Sequence, residues 1–127
     1  MLKANFITAQ EAAEKIQDGS TLCTIGMTLV SASESILKAI EKRFETVGHP
    51  ADITLVHSCG QSDRKDGIQH LAHEGLVKRI VGSHWGLQPR WMEMIANSQV
   101  EAYCLPQGQI AQLYRSMACG LLGKMSK

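Results

Sequence analysis

Apolar residues along this chain fall into two spacings. Compact, β-rich runs occur at Thr21-Leu22-Cys23-Thr24-Ile25, Ile53-Thr54-Leu55-Val56, Arg79-Ile80-Val81 and Val100 to Leu105. Runs of this length bounded by turn residues read as strands. Ile53 to Val56 is continuous, as expected of a strand buried on both faces of a parallel sheet. Between the runs the spacing becomes helical. Ala12, Ala13 and Ile16 share a face, as do Ile36, Leu37, Ile40 and Phe44. The same holds for Met92, Ile95 and Ala96, and for Ile110, Leu113, Tyr114 and Met117. A further short helix is predicted around Leu71 to Leu76. On the second helix Lys38, Glu41, Lys42 and Glu45 are expected to face water. Ser62 to Gly67 reads as a charged surface loop.

The punctuation agrees with this division. Thr8 with Glu11, and Ser31 with Glu34, have the spacing of capping boxes. Asp18-Gly19 and Gly48 with Pro50 stop the helices before them. Pro89 suits a first helical turn. Pro106 ends the last strand, because proline cannot donate to a sheet ladder. Gly108 gives the following turn a residue that tolerates positive φ. The order is a helix, then strand and helix alternating four times. That order predicts a single α/β domain over residues 1–127, with a parallel sheet, right-handed crossovers and helices on both faces.

Each predicted strand ends in small or polar residues: Gly26, Ser58-Cys59-Gly60, Gly82-Ser83-His84 and Gln107-Gly108. Parallel strands bring these turns to one edge of the sheet, where ligands bind in open α/β folds. Gln107 carries an acceptor oxygen and N–H donors, which suits a carboxylate or carbonyl. The same residue can also serve only to cap the turn into the last helix.

Composition narrows the picture mainly by exclusion. The 127 residues, 44% of them hydrophobic, suffice for one domain with a core. A formal charge of +1 gives no electrostatic argument for nucleic acid or an anionic membrane. The apolar runs are too short to span a bilayer. Met1-Leu2-Lys3-Ala4-Asn5 lacks the apolar core of a signal peptide. Cys23, Cys59, Cys104 and Cys119 form no C-x-x-C. Cys23 and Cys104 lie in apolar runs and read as buried thiols of a cytoplasmic protein.

Familiar chemical motifs are missing. No G-x-G-x-x-G follows a strand, and no Walker loop is present. His70 and His73 are spaced i, i+3, not the i, i+4 of H-E-x-x-H, and no third ligand is evident. No metal site is expected there. Ser58 lies in no nucleophile elbow. Trp85 and Trp91 read as packing groups, and His84 as either a satisfied histidine at a strand end or a general base.

Four pieces of the chain carry a resemblance to a known family. They are Asp18-Gly19 with Ile25-Gly26-Met27; His73-Glu74-Gly75-Leu76-Val77-Lys78-Arg79; Gly82-Ser83-His84-Trp85-Gly86; and Pro106-Gln107-Gly108. The chain resembles the amino-terminal part of a family I CoA-transferase, of the acetate or propionate type. The resemblance implies the α/β fold shared with sugar-phosphate isomerases, Rossmann-like but without a dinucleotide site. It implies transfer of coenzyme A, a substrate and not a resident cofactor, from a short-chain acyl-CoA to a free carboxylate. In such enzymes a glutamate attacks the thioester and passes through an acyl anhydride to a glutamyl-CoA thioester.

By this resemblance Gln107 and Gly108 match a turn at the carboxylate pocket. Gly26 and Met27 match a Gly-Gly-Phe-type turn whose N–H groups lie beside the reacting carbonyl. Ser58 and Cys59 fall on the second turn facing substrate. Ile25 stands where the family has glycine, and Met27 where it has an aromatic residue. The loop Thr28 to Ser33 also lacks the usual glycine and proline. The family's glutamate lies in Glu-x-Gly, in its second half. Glu11, Glu14, Glu34, Glu41, Glu45, Glu74, Glu93 and Glu101 all lack glycine two residues later. The implied arrangement is a pocket-bearing part that is inactive alone. It would need a carboxyl-terminal half or partner subunit, and would self-associate. Leu121-Leu122 reads as the start of a fifth strand. The other readings of the same turns are a non-catalytic sensor of a sugar phosphate or acyl group, or an inactive remnant.

Overall fold

The computed structural model describes residues 4–123. Thr8 caps α1 (Ala9–Glu14): its hydroxyl accepts from Glu11 N at 3.2 Å, and its own N–H donates to the Glu11 carboxylate at 2.7 Å. Then follow β1 (Thr21–Thr24), α2 (Glu34–Val47), β2 (Ile53–His57), a 3-10 helix (Gly67–Leu71), β3 (Val77–Gly82), α3 (Pro89–Ala96), β4 (Glu101–Cys104) and α4 (Gln107–Ala118). The strands lie in chain order, β1-β2-β3-β4, and every pair is parallel. The alternation read from the sequence is therefore the observed topology.

Register assigns the two faces, since neighbouring residues of a strand point to opposite sides. Leu22, Leu55, Ile80 and Ala102 form one row across the sheet. They pack with Ala13 of α1, Leu37 and Ile40 of α2, Ile68 and Leu71 of the 3-10 helix, and Trp91 and Met94 of α3. This is the core, and a fully buried Leu or Ile within it contributes about 1.5–3 kcal/mol. Both tryptophans are packing groups with a satisfied N–H. Trp91 donates to Ile68 O at 2.9 Å and Trp85 to His57 Nε2 at 3.0 Å. The opposite face carries Cys23, Val56, Val81 and Tyr103 in one row. Helix α4 returns on that side, and its Tyr114 hydroxyl donates to Thr24 O at 2.8 Å.

Several local expectations fail, each to a tertiary cause. Ser31 does not cap α2. It has φ 62°, and the helix opens at Glu34 after Ser33. The Glu34 carboxylate is drawn instead to Gly67 N–H, at 2.9 Å. Glu41 does not face water, because His70 and His73 hydrogen-bond to it. The helix predicted over Leu71 to Leu76 is displaced into the 3-10 turn Gly67–Leu71. Ser62 is buried, not on the surface, whereas Asp63 to Lys65 are exposed as expected.

Cys23 and Cys104 are exposed thiols, not buried ones. Only β2 and β3 have a strand on both sides; β1 and β4 are the sheet's edges. Tyr103 on β4 is 51% exposed for the same reason. Residues 121–123 form no strand, and residues 124–127 lie outside the described residues.

Candidate functional site

The carboxyl ends of all four strands lie along one edge of the sheet. At the end of β1, Gly26 has φ 140°, and a Cβ there would approach Val30 O to 2.8 Å. Only glycine fits this turn. Met27 N–H donates to Val30 O at 3.1 Å and Val30 N–H to Met27 O at 2.9 Å, closing the loop on itself. The Met27 N–H is thereby used within the chain. Thr28 N–H donates to Gly60 O at 2.9 Å and fastens this loop to the turn after β2. Ile25, Met27 and Val30 leave their side chains in solvent.

The turn after β2 holds the centre. Ser58 is buried, and its hydroxyl donates to Gly26 O at 2.8 Å while accepting from Gln61 Nε2 at 2.9 Å. The same Gln61 amide donates to Thr24 O at 3.0 Å. Ser58 O accepts from the Ser83 hydroxyl at 3.0 Å. Cys104 Sγ in turn lies 3.2 Å from Ser83 O, and Leu105 N–H donates to Gly82 O at 2.8 Å. Side-chain and backbone hydrogen bonds thus lace the strand ends together in order across the sheet. The Ser58 hydroxyl is spent on this lacing, while Cys59 stands half-buried with Sγ 3.6 Å from Gly26 O.

Behind the turns lies a neutral histidine. His57 is fully buried, accepts from Trp85 at Nε2, and has Nδ1 3.3 Å from Cys59 O. These partners fix the tautomer with the proton on Nδ1. Burial pulls its pKa down to about 4, against the weaker upward pull of Cys59 O. Gly82 leaves room for the ring; a Cβ there would overlap it. His84 sits between two backbone N–H groups, Gly60 at 3.2 Å from Nε2 and Gly86 at 3.3 Å from Nδ1. A neutral imidazole has a single acceptor nitrogen, so the ring accepts from only one of these two N–H groups.

Gln107 does not sit in a turn before the last helix. It is the first residue of α4, with Pro106 as N-cap. Its side chain is exposed and makes no hydrogen bond among the described residues. Gly108 is open: a Cβ there would meet nothing within 4 Å. The structure therefore brings Gly26, Met27, Ser58 and Cys59 together at β1 and β2. It leaves Gln107 and Gly108 at the far edge, three strand spacings or about 14 Å from β1 and two or about 10 Å from β2. Helix α4 bridges that gap.

Gln61 and Tyr114, both holding Thr24 O, are site residues that sequence reasoning missed. Burial, then the nearby Cys23 thiol, pushes the Tyr114 hydroxyl up to about 12, so it remains a donor. Its place on the apolar stripe of α4 was visible, but its partner 90 residues away was not. Two surface grooves lie away from these turns. One, beside Lys78, Gln99 and Glu101, is at the amino ends of β3 and β4; the other separates α1 from α2.

A family model described as coenzyme A transferase matches residues 6–124. The chain belongs to the coenzyme A transferase family. It is 35% identical over 125 residues to caffeate CoA-transferase of Acetobacterium woodii, covering 98% of this chain and 24% of that protein. It is 34% identical over 122 residues to acetate CoA-transferase YdiF of Escherichia coli, covering 94% of this chain and 23% of that one. The crystal structure of the acyl-CoA transferase YdiF from Escherichia coli in a thioester complex with CoA superposes with a TM-score of 0.82 at 32% identity. That superposition covers 91% of this chain and 23% of the other. A variant of the decarboxylase AibA/AibB, 18% identical with a TM-score of 0.73, shares the fold. This chain spans about a quarter of the length of these first two curated relatives.

Proposed function

We propose that residues 1–127 form the amino-terminal, acyl- and carboxylate-binding part of a short-chain acyl-CoA transferase. The observation that carries this reading is the superposition on an acyl-CoA transferase in its CoA thioester complex, at a TM-score of 0.82 and 32% identity. In the proposed reaction a glutamate carboxylate from outside this segment attacks the acyl-CoA carbonyl. An acyl anhydride forms and CoA leaves as a thiolate. The thiolate attacks the glutamyl carbonyl, releases the first carboxylic acid and leaves a glutamyl-CoA thioester. The acceptor carboxylate, acetate or propionate, then reverses these steps and departs as the new acyl-CoA. Coenzyme A is a substrate in this scheme, and no other cofactor is invoked.

This chain's part is positioning. Gly26, Met27, Ser58 and Cys59 form one wall of the pocket. Ser58 acts through its bond to Gly26 O, while the Met27 side chain and the Cys59 thiol face the acyl group. Gln107 offers a free amide to the substrate carboxylate, and Gly108 lets that group approach the backbone. The reading places the enzyme in the cytoplasm, in short-chain fatty acid metabolism. No helix among the described residues is long and apolar enough to cross a membrane.

The test is a chimera in which this chain replaces the corresponding segment of acetate CoA-transferase YdiF. The chimera is expected to move CoA from acetyl-CoA to propionate, and the isolated chain to show no turnover. Steady turnover by the isolated chain contradicts the reading, as does a well-folded chimera that neither binds acyl-CoA nor turns over.

A further inference from the structure

A second cluster lies on the helical side of the molecule, where α2 meets the segment between β2 and β3. Glu34, Asp66 and His70 each offer one ligand atom, and the three lie within 4.8 Å of one another. His70 Nε2 is 2.8 Å from Glu34 Oε1 and 3.3 Å from Asp66 Oδ1. Two ligands on a tetrahedral ion with bonds of about 2 Å are about 3.3 Å apart, so these separations need only small adjustment.

Groups outside the triad aim two of the three donors. Gly67 N–H holds the other Glu34 oxygen at 2.9 Å. His70 Nδ1 is hydrogen-bonded to the Glu41 carboxylate, which turns Nε2 toward Glu34 and Asp66. A histidine whose second ring nitrogen donates to a carboxylate is the usual support for a metal-bound imidazole. The carboxylates already gather a cation: Lys38 Nζ lies 3.1 Å from Glu34 Oε1 and 3.2 Å from Asp66 Oδ1. The Lys38 side chain is 54% exposed and carries that ammonium on a flexible stem. In the neighbouring group of Glu41, Glu45 and His73, Glu41 is already shared between His70 and His73, and its oxygens are spent on those two rings.

We propose that Glu34, Asp66 and His70 form a binding site for a divalent ion of the zinc type, with water completing the tetrahedron. The ion replaces the proton on His70 Nε2 and displaces the Lys38 ammonium. It pins the start of α2 to the β2–β3 connection. An imidazole with two carboxylates matches the ligand preference of zinc and cobalt. The sequence reading found no further ligand for His70. Glu34 is 36 residues away and joins the histidine only in the fold. It does not depend on the transferase reading.

The test is titration of the full chain with cobalt(II), followed by zinc competition against a chromophoric chelator. One saturating ion per chain is expected, with d–d bands and no thiolate charge-transfer band. Asp66→Asn and His70→Ala are each expected to weaken binding at least tenfold. Glu41→Gln, which removes the support of His70, is expected to weaken it by about tenfold. Lys38→Met is expected to tighten it. If His70→Ala fails to fold, Asp66→Asn at the solvent-facing ligand decides. No saturable binding in the micromolar range overturns the proposal. So do equal affinities across the variants, or a thiolate band, which would put the ion on the exposed cysteines.

Discussion

Gln107 shows how much a single residue can and cannot reveal. Its type, between a proline stop and a helix, suits either a carboxylate-binding amide or a cap on the turn, and the structure leaves the amide exposed. If it binds a substrate carboxylate, Gln107→Ala in the chimera lowers catalytic efficiency by about 1.5–3 kcal/mol, the usual size for a hydrogen bond to a charged group. Melting temperature is expected to stay unchanged, because the amide has no partner among the described residues. Unchanged efficiency would reduce Gln107 to a helix-opening residue. Ser58 was legible as a strand-end residue, but the use of its hydroxyl was not. That use depends on Gln61 and on Gly26, which is 32 residues away.

His57 carries a pH prediction at the same scale. Its folded pKa is about 4, against 6.5 for the free side chain. Between these values the unfolded chain takes up a proton that the folded chain refuses. Its contribution is therefore fully present above about pH 6.5 and is lost as pH falls toward 4, by up to about 3 kcal/mol. His70 acts with the opposite sign. Burial lowers its pKa, but hydrogen bonds to Glu41 and Glu34 outweigh burial and raise it. Its contribution is full below about pH 6.5 and is lost as pH rises through the folded value. Denaturant unfolding of wild type and His57→Gln at a series of pH values separates the two. The difference between the proteins is expected to shrink as pH falls from neutral to 4. A constant difference would contradict the buried neutral imidazole.

Among the elements, the strands and their order were read correctly because periodicity and length carry that information. The edges were not, because sequence shows an apolar run without showing its neighbours. Cys23 and Cys104 look alike in sequence to core positions, yet both lie on strands with only one partner. The same limit explains α2. Ser31 and Glu34 have the capping-box spacing, but Glu34 finds a better partner in Gly67 across the fold. Helix α4 is fastened to β1 by one long-range bond from Tyr114 to Thr24 O, at 2.8 Å. Tyr114→Phe removes that donor and leaves Gln61 as the carbonyl's side-chain partner. The expected loss is about 1 kcal/mol in urea unfolding, and a loss near zero would show that α4 is held by packing alone.

At the scale of the whole molecule, one sheet face is filled and the other is only partly covered. β1 and β4 leave backbone edges unpaired within the sheet. Ile25, Met27 and Val30 are 65%, 64% and 66% exposed beside one of those edges. Unpaired edges and contiguous apolar surface favour association, and a net charge of +1 does little to oppose it. The isolated chain is expected to sediment as a dimer or larger species at low micromolar concentration. A monomer with a sharp cooperative melt would show that these residues need no covering.

The central claim is that this chain supplies a pocket and not the nucleophile. Trapping the covalent intermediate tests it most directly. The chimera with YdiF is incubated with acetyl-CoA and no acceptor, and the CoA-bearing peptide is located by mass spectrometry. The predicted result is a thioester on a glutamate contributed by the YdiF portion, with every glutamate of this chain unmodified. A CoA adduct on a glutamate of this chain, or labelling of the isolated chain at any of them, would contradict the account.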